Sequence, residues 1–186
     1  MYGNQEIQPI TEDALPRPIN HYGNVKLCIE NTIRTFNYQA HTKILIARIS
    51  NPYGPGQDFN KGVGFIDAAI KKTIRSEKIE IWGDGNNVRD YIYIDDVCRM
   101  LISLFYYQED YDTFNISSNT GTSQRDVIRM LEAMQLAPQV EYLPARSVDA
   151  KKIILNNERI MSIHAVPLVP VEQGIRKYYQ WLKKEI

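Results

Sequence analysis

Hydrophobic and polar positions change period several times along this chain, and each change marks an element. From about residue 20 to 39, Val25, Leu27, Ile29, Ile33 and Phe36 recur at helical spacing and predict a helix with a substantial apolar surface. Lys43-Ile-Leu-Ile-Ala-Arg-Ile-Ser50 is then almost continuously apolar, the pattern of a parallel strand covered on both faces. A helix followed by such a strand is half of a βαβ unit, and no earlier strand pattern supplies the other half. Residues 1–20, with Pro9, Pro16 and Pro18, read as a loop that delivers the chain into the first helix. The Gly/Pro-rich 51–64 segment predicts another loop, followed by a helix from about Val63 to Ser76.

Lys78-Ile-Glu-Ile-Trp82 alternates as a strand entering a turn at Gly83-Asp-Gly85. Asp95 and Asp96 stand where a helix N-terminus is expected, ahead of Val97–Phe105, and acidic side chains there favour the helix dipole. A strand at Thr113–Ser117 comes next, then a helix over 123–135 that either Thr122 or Ser123 can cap. A last helix is expected over about 171–184, after Pro167 and Pro170. No internal repeat, low-complexity tract or flexible linker interrupts this order.

Composition narrows the class. Hydrophobic residues make up 44% of the 186 and charged residues 24%, as in a globular protein of ordinary domain size. Lys and Arg balance Asp and Glu at 22 each, so no net charge draws the surface to nucleic acid or to an anionic membrane. No window approaches a membrane span, and the first residues lack the basic and apolar regions of a signal peptide. Cys28 and Cys98 lack metal-ligand spacing and fall in apolar helical patterns, so buried free thiols in a reducing, cytoplasmic setting are expected. His21, His41 and His164 show no partner pattern and receive no ligand or catalytic role. The aromatics of the last helix, with Tyr106, Tyr107 and Tyr111, read as packing.

The chemistry lies in an ordered set of motifs. Tyr22-Gly-Asn-Val-Lys26 places a phenol and an ammonium four residues apart, on one helix face. A free phenol titrates near pH 10, and a cation within a few ångströms lowers such a value by about one to three. That spacing alone is common. Here it precedes Ala47-Arg-Ile-Ser-Asn-Pro-Tyr-Gly-Pro-Gly-Gln57 and then Gly83-Asp-Gly-Asn-Asn-Val-Arg-Asp-Tyr-Ile-Tyr-Ile-Asp-Asp96. The set resembles the NAD-dependent nucleotide-sugar epimerases and dehydratases of the extended short-chain dehydrogenase/reductase family, and is UDP-glucose 4-epimerase-like. Gly54-Pro-Gly56 and Gly83-Asp-Gly85 do not form a dinucleotide fingerprint, since neither opens a helix directly after a strand at the required spacing.

The resemblance covers essentially the whole chain, as the C-terminal part of the family pattern. It implies that Tyr22 takes a proton from a sugar hydroxyl while hydride passes to NAD, with Lys26 and the cationic nicotinamide placing positive charge beside the phenol. Lys26 would also hydrogen-bond the nicotinamide ribose, and Pro52 would lie beside the cofactor. By the same matches Asn51, Arg89 and Arg146 would bind the diphosphate, Trp82 the uracil, and Asp149 a ribose. Pro52 departs mildly from the Val that many relatives carry. Guanidinium suits the phosphate role because it stays charged and grips through two donors. The stretch Val171-Glu-Gln-Gly-Ile-Arg-Lys-Tyr-Tyr-Gln-Trp181 resembles the last family helix.

The expected fold is therefore α/β: the C-terminal part of a Rossmann-like doubly wound sheet plus a small α/β substrate-binding domain, with the N-terminal dinucleotide-binding half absent. Residues 1–58 and 92–120 would be the Rossmann remnant, and 59–91 with 121–186 the nucleotide-sugar-binding domain. By the resemblance, on the order of 100 residues would be missing, enough for the first mononucleotide-binding half, and with them the catalytic Ser or Thr expected upstream of Tyr2-Gly3. The parent function implied is an NAD-dependent epimerase that oxidises C4 of a UDP-sugar and re-reduces it. A 4,6-dehydratase or decarboxylase fragment is the alternative in the same class, and a non-catalytic nucleotide-sugar-binding or companion-half module the alternative in another. The chain alone is expected to be inactive, to bind NAD negligibly, and to pair with itself or with an N-terminal half.

Overall fold

The computed structural model describes residues 1–57, 64–145, 151–164 and 166–185. The first helix, α1 (His21–Ala40), starts where Asn20 in extended backbone accepts from the Gly23 N–H and ends at His41 in the left-handed region. Strand β1 (Ile46–Ile49) follows and runs parallel to β5 (Thr113–Ile116), its one strand partner among the described residues. Between them in sequence come β2 (Asn51–Tyr53), α2 (Phe65–Ile74), β3 (Lys78–Trp82), β4 (Val88–Tyr93) and α3 (Ile94–Phe105). After β5 the chain forms β6 (Gly121–Ser123), α4 (Gln124–Ala133), β7 (Gln139–Leu143), β8 (Lys152–Ile153), the short α5 (Glu158–Met161) and α6 (Val171–Glu185).

Among the described residues the strands form three small sheets, of which β4 is the hub of the largest. Its first half lies between antiparallel β6 and parallel β8, and its second half pairs in parallel with β2. Strands β3 and β7 pair separately, in parallel. This α/β arrangement with parallel pairs agrees with the expected class. Ser50 alone separates β1 from β2, so the chain steps directly from one sheet to the next. Here the expected loop over 51–64 is corrected: residues 51–53 are strand. Pro52 has no N–H to donate and is tolerated because β2 pairs on one side. Residues 88–93 form a further strand, β4, in which Asp90, Tyr91, Ile92 and Tyr93 are all buried.

Among the described residues two large apolar clusters fill the interior, with a small third one around Tyr2, Ile10 and Leu155. Tyr53, Ile66, Ile70, Ile79, Ile81, Tyr91, Val127, Leu131, Ile175 and Tyr178 pack α2, α4 and α6 around β2, β3 and β4. Ile92, Val97, Met100, Leu104, Tyr107, Phe114, Ile116 and Ile160 pack α3 and α5 on β5 and the end of β4. The last helix approaches the first cluster so closely at Gly174 that an added Cβ would lie 2.1 Å from the Tyr53 hydroxyl. A glycine there lets Tyr53 reach the Val171 carbonyl, 3.1 Å away. Ser123, not Thr122, caps α4, in a reciprocal pair of bonds with Asp126.

Several expectations about single residues change. Cys28 and Cys98 are both exposed, not buried. Each stands on the outward side of its helix: α3 buries Asp96, Val97, Met100 and Leu104, and Cys98 lies off that line. Tyr107 packs on Phe114 as expected, but Tyr106 is 76% exposed and Tyr111 52% exposed. His164, passed over in the sequence, is buried, and its Nδ1 lies 3.0 Å from Ser103 Oγ. Burial and the Arg99 charge hold its imidazole below the ordinary value, while Asp96 pulls the other way. A depressed folded-state value means that stability is full above the unfolded pKa of 6.5 and is lost as pH falls through the lower folded value. Chemical denaturation near pH 7.5 and near pH 5 should show a larger drop for the native chain than for His164→Gln.

Candidate functional site

Strand β2, the first half of β4 with the turn before it, and the start of α2 enclose a cavity of about 210 Å³. Asn51, Pro52 and Tyr53 come from β2; Asn87, Arg89 and Tyr91 from β4 and the turn before it. Gly64, Phe65, Ile66 and Asp67 contribute the N-terminal turn of α2, and Gln124 the first residue of α4. Pairing β2 with β4 in register, Asn51 opposite Tyr91, is what brings residues distant in sequence to one wall.

The wall is polar where it is held and apolar beneath. Asn51 Nδ2 donates to the Asp90 carbonyl at 2.9 Å, which leaves the second amide hydrogen for a ligand. Arg89 is half-buried, with Nη1 2.9 Å from the Val88 carbonyl, so one donor orients the guanidinium and the others remain. Burial pushes the Tyr91 phenol up to about 12 even though the Arg89 charge opposes it, so this tyrosine stays protonated at neutral pH. The Gln124 Oε1 is buried with no partner among the described residues. A polar atom left so beside a cavity is an unmet acceptor that a ligand donor can satisfy.

Asp90, directly beside Arg89, fixes this corner. It is fully buried, and its Oδ1 accepts from the Ser118 N–H and Ser118 Oγ at 2.8 Å each, with Ser50 Oγ at 3.3 Å. Its Oδ2 accepts from the Leu155 N–H at 3.2 Å. Desolvation raises its pKa despite these bonds. Asp67, in the cavity wall, is likewise buried and bonded by Lys71 Nζ at 2.8 Å and by the Tyr178 hydroxyl. The sequence carried a signal for Asp90 in Val-Arg-Asp-Tyr, but none for Gln124 or Asp67. Both became visible only when α2 and α4 were placed against β4.

The remaining candidates sit elsewhere. Tyr22 and Lys26 lie in the first two turns of α1, exposed, with Lys26 Nζ 5.4 Å from the Tyr22 ring centre. They meet each other as their spacing requires, but neither lines the cavity. Trp82 ends β3, half-buried and paired in register with Leu143, also outside the cavity wall. Arg146 and Asp149 lie outside the described residues. Among the described residues no cluster of His, Cys, Asp and Glu could hold a metal ion, and no helix is long and apolar enough to cross a membrane.

Known proteins share this architecture and sequence. A dTDP-L-rhamnose 4-epimerase of Burkholderia thailandensis is 30% identical over 175 residues, covering 92% of this chain and 48% of that protein. The crystal structure of a UDP-glucose 4-epimerase from Thermotoga maritima with UDP-glucose superposes with a TM-score of 0.91 at 29% identity. That match covers 99% of this chain and 60% of the other. A Bacillus cereus UDP-glucuronic acid 4-epimerase, crystallised with UDP-glucuronic acid and NAD, gives a TM-score of 0.89 at 25% identity over all of this chain and 59% of its own. The chain thus spans about half to three-fifths of the length of these relatives. Residues 1–117 match the model of the NAD dependent epimerase/dehydratase family, and the chain belongs to that family.

Proposed function

We propose that this chain supplies the nucleotide-sugar site and the Tyr–Lys helix of an NAD-dependent epimerase acting at C4 of a UDP-sugar. The observation that carries this reading is the cavity between β2, the first half of β4 and α2, where Arg89, Asn51 and the α2 N-terminus converge. A guanidinium, an amide donor and the backbone N–H groups of a helix start are the groups that bind a diphosphate. Tyr91 adds an aromatic wall, and Gln124 an acceptor for a base or sugar donor. Where the cavity is read as a substrate site, residues 59–91 and 121–186 form the substrate domain and 1–58 with 92–120 the cofactor side.

Tyr22 and Lys26 fit the cofactor side of the reaction, since an exposed phenol and ammonium adjoin on one helix face. Bound NAD would supply the hydride acceptor and donor for the sugar carbon, with Tyr22 and Lys26 beside it. Tyr22 holds and releases the proton of the oxidised hydroxyl, Lys26 keeps positive charge beside the phenol, and Pro52 shapes the neighbouring loop. Arg146 and Asp149 would complete the phosphate and ribose contacts. A 4,6-dehydratase or decarboxylase would use the same binding residues, so substrate identity is decided by turnover and not by affinity. In a second class of reading the chain binds the nucleotide-sugar without catalysis, as a companion to a separate half.

Calorimetric titration with UDP tests the site. Arg89→Ala should weaken UDP binding by about 10- to 100-fold, the worth of hydrogen bonds to a charged group. NAD should give no comparable heat with this chain alone. UDP binding that Arg89→Ala leaves unchanged would overturn the site. Exposed Val25, Ile29 and Phe36 on α1, with the edge of β1 that has no strand partner among the described residues, also favour pairing with a second chain. Sedimentation should depend on concentration, and a strictly monomeric profile over a wide range would contradict this pairing.

A further inference from the structure

Helix α1 carries little apolar anchorage for its length. Of its 20 residues only Gly23 and Glu30 are buried, and Tyr22, Val25, Ile29, Phe36 and Tyr38 are each at least 47% exposed. Glu30 is therefore its one buried side chain. Both carboxylate oxygens meet the guanidinium of Arg48 on β1, Oε1 from Nε at 3.0 Å and Oε2 from Nη2 at 2.8 Å. Arg48 is itself buried, and its Nη1 reaches the Tyr2 hydroxyl at 2.6 Å and the Glu12 carbonyl at 3.1 Å. The Tyr2 hydroxyl passes the link to Asn115 of β5 at 2.7 Å. Arg34, half-buried, adds an outer contact to Glu30 at 3.1 Å and to Thr113 Oγ1 at 3.3 Å.

Tyr22, Lys26 and Glu30 occupy positions i, i+4 and i+8, one stripe of the helix, with Glu30 about 12 Å along the axis from Tyr22. We propose that the buried Glu30–Arg48 pair is a positioning device that fixes how α1 seats on the sheet, and through it where Tyr22 and Lys26 stand. The pair suits that task because a two-point carboxylate–guanidinium fork defines an orientation as well as a distance. Apolar contact, which tolerates sliding and rotation, is sparse along this helix. Glu30 and Arg48 are positioning residues and touch no reacting atom. Their bearing on catalysis rests on the reading that Tyr22 and Lys26 act in the reaction. The seating of α1 does not.

The two native thiols make the test direct, since Cys28 lies on α1, Cys98 on α3, and both are exposed. Spin labels on them report the α1–α3 distance distribution by pulsed dipolar spectroscopy. The native chain should give one narrow maximum. Arg48→Lys, which keeps the charge but loses the fork, should broaden or displace it. Glu30→Leu with Arg48→Met removes the pair without stranding a charge, so thermal stability should be largely kept while the distribution still broadens or shifts. A role in stability alone would leave that distribution unchanged in a folded variant. An unchanged maximum and width in the double variant would overturn the proposal, as would an unchanged distribution in Arg48→Lys if the double variant does not fold. Neither result depends on UDP binding, so the seating of α1 and the reading of the cavity stand or fall separately.

Discussion

Asp90→Ala should destabilise the chain by roughly 2–5 kcal/mol, because it strands the backbone N–H groups of Ser118 and Leu155 at about 1–3 kcal/mol each. Against a typical stability of about 5–15 kcal/mol this is a large share. The site is fully buried, so water does not easily replace the lost acceptor. Because Asp90 ties Ser50, Ser118 and Leu155 to β4, the damage should spread from β2 to β8. Urea denaturation with an unchanged slope measures the loss. Asp90→Asn keeps one acceptor oxygen and should lose less. A loss below about 0.5 kcal/mol for the alanine variant, the range of an ordinary surface change, would refute the account.

Arg48→Met should cost about 3 kcal/mol, near the low end for breaking a buried ion pair. Glu30 is only 6% exposed, so its charge would remain in a poor solvent environment. Arg34 still contacts it at 3.1 Å, which moderates the loss. Adding Glu30→Leu should restore most of the stability, since replacing both charges with apolar groups removes the stranded ion. Thermal melts of the two variants side by side check this. If the double variant is no more stable than the single one, the stranded charge is not the cause. Restored stability with a misplaced α1 would separate what the pair does for stability from what it does for placement.

Much of the fold was legible because periodicity is a local property. The expected helix over 20–39 is α1, the strand at 78–82 is β3 with the same bounds, and the helix over 171–184 is α6. Helix α3 begins with Asp95 and Asp96 in its first turn, as the acidic pair suggested. The short strands β6 and β8 were not legible, because two or three residues hold too few positions to define a period. Residues 51–53 misled for another reason: Pro and Gly mark the segment as loop, while pairing with β4 overrides local preference. Cys28 and Cys98 misled because an apolar pattern continues around the outside of α1 and α3.

The site divides in the same way. Tyr22 with Lys26, and Asn51, Pro52 and Arg89, were named by spacing and motif, because each short motif states its own chemistry. The sequence by itself therefore determined the α/β class, most long elements and the family resemblance. Only the tertiary structure decided that Asn51, Arg89 and Gln124 share one cavity while Tyr22 and Trp82 stand outside its wall. It alone decided that Glu30 faces inward to Arg48 while the apolar side chains of α1 face out. The reason is physical: periodicity and turn chemistry act between near neighbours. Which face of a helix is covered, and which distant polar groups meet, depends on strand register and packing that no local pattern encodes.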